Sequence, residues 1–138
     1  MRVFFDPSAF AKRYLEERGS EQVLQWCDKA TELALSGVAV PELISAFCRL
    51  RREARITPTQ YTQLKRQLLA DIADALIYDT SAAALGHAVR ALERHALRGM
   101  DAIHIGAAVD CGAQAFITAD KQQAAAARFF GLQVVLVP

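Results

Sequence analysis

Residues 115–138 read AFITADKQQAAAARFFGLQVVLVP, and this stretch decides the fold. Ala115 to Thr118 is a short apolar run, Lys121 to Phe130 a helix closed by Gly131, and Val134 to Val137 a second apolar run. Strand, helix and strand follow one another with almost no loop between them. That alternation belongs to a parallel sheet, whose crossovers cover it with helices.

The same alternation extends back through the chain. Arg2 to Phe5 is a buried first strand, stopped at Asp6-Pro7 because proline cannot donate to a ladder. Ser8 is placed to cap a helix running to about Glu17, and Gly19-Ser20 restarts the chain into a second helix with Val23, Leu24 and Trp26 inward. Glu32 to Ser36 reads as the next strand. Val40-Pro41 then opens a helix with an apolar stripe of Leu43, Ile44, Phe47 and Leu50.

Thr57-Pro58-Thr59-Gln60 combines a capping box with proline at the first helical position, so a helix begins there and carries Tyr61, Leu64 and Leu68 inward. Leu76 to Tyr78 is a strand, and Ser81 to about Arg94 a helix with Leu85, Ala88, Val89 and Leu92 at helical spacing. Gly99 breaks the chain, Asp101 begins the next helix and Gly112 ends it. The expected architecture is α/β, with about five short parallel strands covered on both faces.

At 138 residues and 53% hydrophobic content, the chain suits one domain spanning residues 1–138. A net charge of +1 provides no global field for a polyanion, so any nucleic-acid contact must come from local patches. Three scattered cysteines, Cys27, Cys48 and Cys111, argue against a disulfide framework and for a reducing cytoplasm. No stretch offers the roughly 20 apolar residues of a membrane span, and MRVFFDPSAF lacks the apolar core of a signal peptide.

In open parallel sheets ligands collect beyond the carboxyl ends of the strands, where strand order reverses. Asp6 follows the first strand and Asp120 the fourth; Glu42 and Asp101 stand in the first turns of helices that can aim at the same rim. Each also has a plainer use. Asp120 with Gln123 forms an acidic capping box, and Glu42 and Asp101 suit the positive end of a helix dipole. Asp6, ending a buried strand before a proline, resists that explanation best. By contrast, Asp71, Asp74 and Asp110 read as solvated, and Asp79 as a cap for the following helix.

Four converging carboxylates repel one another and take up protons unless a cation joins them. Ligation by oxygen alone favours Mg²⁺ or Mn²⁺ over zinc, with a phosphate as the expected guest. Metal-activated water and an in-line phosphoryl displacement follow from that chemistry.

The stretches FFDPSAFAKRY, VAVPELISAFCRLRREARITPTQY, LRGMDAIHIGAA and AFITAD, in this order, resemble a PIN domain, and specifically the VapC-type toxin ribonucleases of type II toxin-antitoxin pairs. The resemblance spans essentially the whole chain. It implies a three-layer α/β/α fold, Mg²⁺ or Mn²⁺ dependence, endonucleolytic cleavage of RNA and neutralisation by a cognate antitoxin protein. Asp6, Glu42, Asp101 and Asp120 match the family's catalytic, metal-binding acids. Ser8 and Thr118 match its supporting hydroxyl positions, while Pro7 departs from the small residue often found there.

His104 lies one turn after Asp101, but imidazole suits Mg²⁺ poorly, so it is expected to be packed or supporting. His87 and His95 read as surface residues. Arg49 follows Glu42 by nearly two turns on one helix face, with Arg52 close by, so both are candidates for holding RNA phosphates. Arg51 and Arg55 read as solvated. Lys12, Arg13, Arg98 and Lys121 flank the acids in sequence and join the RNA-binding candidates.

The leading function is a metal-dependent endonuclease of single-stranded RNA acting as a toxin. Asp6, Asp101 and Asp120 bind metal in this scheme, and Glu42 completes the shell directly or through water. A nuclease without a toxin role and a catalytically silent partner-binding module are the alternatives. A haloacid-dehalogenase-type phosphatase is set aside, because it expects a second aspartate where Ser8 stands. Leu43 to Leu50 and Tyr61 to Leu69 form a hairpin suited to a homodimer face and to a groove for an antitoxin helix.

Overall fold

The computed structural model describes residues 1–138. Val3, Phe4 and Phe5 are wholly buried on strand β1 (Arg2–Phe5), which lies at the centre of the sheet. Strands β2 (Glu32–Ser36), β3 (Leu76–Tyr78), β4 (Ala115–Thr118) and β5 (Gln133–Leu136) complete it in the order β3-β2-β1-β4-β5, all parallel. Phe4 stands opposite Ala34 on one side and Phe116 on the other.

Side chains alternate across a strand, so the sheet feeds two cores. Val3, Phe5, Leu35, Ala115 and Ile117 enter the first, with α1 (Pro7–Phe10), α2 (Ser20–Lys29), α3 (Ala39–Arg52) and α4 (Pro58–Asp74) packed over it. Phe4, Ala34 and Phe116 enter the second, beneath α6 (Gly99–Asp110) and α7 (Lys121–Phe129). Helix α5 (Ala82–Arg94) lies against α6 through Ala88, Ala91 and Ala102. The result is the expected α/β/α arrangement. No helix is long and apolar enough to cross a membrane.

From β1 the chain builds outward through β2 to β3, then returns to the opposite side of β1 for β4 and β5. Strand order therefore reverses between β1 and β4, which places the crevice of an open sheet beyond their carboxyl ends.

Several local expectations are corrected. The first helix runs only from Pro7 to Phe10, continues as a 3-10 turn (Ala11–Arg13), and is capped by Asp6 rather than Ser8. Asp6 has the cap role it was expected to resist: its Oδ1 accepts from the Ala9 amide at 3.1 Å. Leu24, expected inward, is exposed.

On α5 the expected stripe of Leu85, Ala88, Val89 and Leu92 is inward only at Ala88. Leu85, Val89 and Leu92 are 47%, 53% and 41% exposed, while Ala84, Ala88 and Ala91 face inward. A Cβ on Gly106 of α6 would stand 2.2 Å from the Ala84 carbonyl oxygen, so these helices meet too closely for leucine or valine. Ser81, not Asp79, caps α5 by accepting from the Ala84 amide. Asp71 and Asp110 are not simply solvated: Asp71 accepts from Arg13 and Tyr14, and Asp110 from Tyr78 and Ser81. The α3–α4 stripes go largely to the first core, where Leu43, Phe47 and Leu68 are buried.

Candidate active site

Asp6 extends β1 by one ladder bond, its amide donating to the Ile117 carbonyl at 3.1 Å. That pairing fixes the residue at the carboxyl end of β1, where it is 3% exposed. Both carboxylate oxygens accept from Ser8 Oγ, at 2.8 and 2.9 Å, and Oδ2 lies 3.0 Å from Thr118 Oγ1. All of these donors are neutral, and no lysine or arginine forms an ion pair with Asp6. Burial consequently pushes the Asp6 carboxyl up to about 6, against the opposing pull of Ser8, the Ala9 amide, His104 and Thr118.

Thr118, the last residue of β4, is wholly buried and connects three neighbours. Besides Asp6, its Oγ1 lies 3.0 Å from Gln123 Oε1 and accepts from the Asp120 amide at 3.0 Å. Gln123, also wholly buried, passes the connection onward by donating Nε2 to the Asp101 carbonyl at 3.1 Å. The ends of β1 and β4 and the first turns of α6 and α7 are thus tied into one polar network. Gln123 was legible only as half of a capping box. Its side chain instead bridges inward, while Asp120 Oδ1 caps α7 by accepting from the Gln122 and Gln123 amides.

The other acids stand on the rim. Glu42, in the first turn of α3, accepts from His104 of α6 at 2.9 Å, and Asp101 Oδ2 lies 3.4 Å from Arg98 Nε. Glu42 and Asp101 line one cleft together with Arg98, Met100 and Ile103. Asp120, Asp101 and Glu42 each anchor one oxygen to the protein and keep the other without a protein partner. The expected convergence of four acids is not complete in this arrangement: no three of these carboxylates, with or without an imidazole or thiolate, are grouped closely enough to hold a metal ion by themselves. The donor chemistry nonetheless suits a hard divalent cation: Asp6 is a buried carboxylate without a cationic partner, and Glu42, Asp101 and Asp120 each keep an oxygen that the protein does not engage.

Among the basic candidates, Arg49, Arg52 and Arg98 line a second cleft with Glu42, Ser45 and Ala46. Lys12 lies elsewhere: its stem is buried and its ammonium donates to Glu17 and to the Arg18 carbonyl. Arg13 pairs with Asp71. Lys121 is exposed at the start of α7, beside Asp120. His104 was read as packed or supporting; it is wholly buried and faces Glu42.

Comparison with known proteins gives the same picture. Ribonuclease VapC45 of Mycobacterium tuberculosis is 29% identical over 117 residues, covering 85% of this chain and 81% of that protein. The structure of M. tuberculosis VapC20, a sarcin-ricin loop cleaving toxin, superposes with a TM-score of 0.65 at 19% identity, over 90% of this chain and 94% of that one. VapBC2 from Rickettsia felis, bound to a DNA fragment from its promoter, superposes with a TM-score of 0.70 at 13% identity over 100% of both chains. The PIN domain family matches residues 3–129. With that match reaching from β1 through α7 and taking in all four candidate acids, the chain belongs to the PIN domain family.

Proposed function

We propose that this protein is a Mg²⁺- or Mn²⁺-dependent endonuclease of single-stranded RNA and the toxin of a toxin-antitoxin pair. The observation that carries this reading is the buried Asp6 carboxylate, without a cationic partner, tied through Thr118 and Gln123 to Asp120 and to the start of α6. Its VapC relative bears the name ribonuclease.

Asp6, Asp101 and Asp120 would hold the metal, with Glu42 completing the set directly or through water. A divalent ion held by these residues would provide a nucleophilic water at neutral pH and offset charge developing on the phosphoryl oxygens. Ser8 and Thr118 keep the Asp6 oxygens oriented. Arg49, Arg52 and Arg98 offer phosphate contacts along the cleft that shares Glu42, so the RNA backbone is held next to the acids. Single strands suit such an open cleft, because their backbone can bend into it.

An antitoxin helix is assigned to the cleft of about 450 Å³ between the segment after α1 and the α3–α4 hairpin. Tyr14, Leu15, Leu50, Ile56 and Leu64 line it together with charged and amide side chains such as Glu16, Glu17, Arg55 and Gln63, which supports the docking of an amphipathic helix. A homodimer also belongs to this reading, supported by the exposed Leu85, Val89 and Leu92 along α5.

The test is cleavage of a short single-stranded RNA by metal-stripped protein with Mg²⁺ or Mn²⁺ restored. Asp6→Asn and Asp101→Asn should abolish cleavage with circular dichroism unchanged, and full activity in either variant rejects the assignment. Mn²⁺ should also raise the melting temperature saturably, as any ligand of the native state must; a silent binding module shows no such rise. Growth arrest on expression, relieved by a small neighbouring-gene product, separates a toxin from a processing nuclease.

A further inference from the structure

Glu42 and His104 lie 62 positions apart and join α3 to α6 through one contact, Nε2 to Oε1 at 2.9 Å. A carboxylate only accepts, so Nε2 carries the hydrogen. The other ring nitrogen, Nδ1, is buried and has no partner. A leucine would fill such a slot without the penalty of a buried unmatched polar atom, so the ring's one useful polar contact is the carboxylate.

Glu42 has competing suitors. Arg49, Arg52 and Arg98 line a cleft with it, and Arg98 and Asp101 share the adjoining one, yet the ion partner Glu42 takes is His104. Its side chain is 33% exposed and unbranched, so without an anchor it would swing among rotamers and toward the guanidinium groups.

We propose that His104 is a positioning residue of the metal centre, holding Glu42 on the α6 side, beside Asp101 and away from Arg49 and Arg52 of the neighbouring cleft. This rests on the metal-centre reading above. The ring would not touch the metal; it acts through Glu42, by fixing Oε1 and leaving Oε2 as the oxygen available to a cation or its water.

Calorimetric titration of metal-stripped protein with Mn²⁺ tests it. His104→Leu should weaken Mn²⁺ about 10- to 100-fold, the range for removing a group that orients a ligand. His104→Gln, whose amide reaches the Nε2 position, should recover most of the affinity, and the shorter His104→Asn should not. In a Glu42→Gln background, His104→Leu should change Mn²⁺ affinity no further.

Wild-type affinity in His104→Leu overturns the proposal, as does an equal loss in the Glu42→Gln background. Equal affinities for His104→Gln and His104→Asn overturn it too, and that pair decides alone if His104→Leu does not fold. Failure of the metal centre itself has a different signature: no saturable Mn²⁺ binding in the wild type, or unchanged binding in Asp6→Asn.

Discussion

Thr118 Oγ1 lies 3.0 Å from Asp6 Oδ2, so residues 112 positions apart share one hydroxyl across the seam between β1 and β4. The same oxygen accepts the Asp120 amide and faces Gln123. Thr118→Val keeps the shape but leaves buried groups on three residues short of a partner. It should destabilise the fold by about 2–4 kcal/mol, read from urea midpoints, and weaken Mn²⁺ binding.

Asp6 makes the metal-free protein pH-sensitive. Its folded value of about 6 lies above the ordinary 3.8, so between these values the folded state holds a proton that the unfolded chain has released. The stability belonging to this group is full below about 4 and is lost as pH rises through 6. Protonated Asp6 can also donate to Thr118, freeing the threonine proton for Gln123. Asp6→Asn should therefore be more stable than the wild type at pH 7.5 without metal, by up to about 3 kcal/mol, with the difference gone at pH 4. Identical pH profiles for the two proteins would contradict the burial argument.

Gly106 is the tightest point of the α5–α6 contact. Because an added Cβ would stand 2.2 Å from the Ala84 backbone oxygen, Gly106→Ala forces the helices apart. A loss of about 3 kcal/mol or more is expected in chemical denaturation. Gly86, on α5 with open space around it, is the control: Gly86→Ala should gain about 0.5–1 kcal/mol.

Replacing Arg49, Arg52 and Arg98 together with alanine should raise KM for single-stranded RNA roughly tenfold or more and leave kcat nearly unchanged. The slope of log affinity against log salt should shrink by about 2, close to 0.7 per lost phosphate contact. A fall in kcat with KM constant would assign these residues to the chemical step instead.

The alternation of apolar runs and helical stretches was enough to place β1 through β4 at their observed bounds, because a strand buried on both faces shows as a continuous apolar run. The inward side of α5 was not legible, since hydrophobicity ranks leucine above alanine while the close approach at Gly106 selects alanine. All four acids stood out by position in the sequence. Their partners did not: Gln123 looked like half of a cap, and nothing local marks His104 as facing Glu42. Such pairings depend on where distant segments dock, which periodicity does not encode.

The central place of β1 has a bearing on biosynthesis. Asp6 leaves the ribosome early, but its shelter is built from β4 and the start of α7, which are translated more than a hundred residues later. Throughout most of translation the nascent chain thus holds only a solvated acid, and the proposed hydrolytic centre assembles once Gln123 has emerged. On the proposed function, a half-made polypeptide would be harmless to the RNA around it.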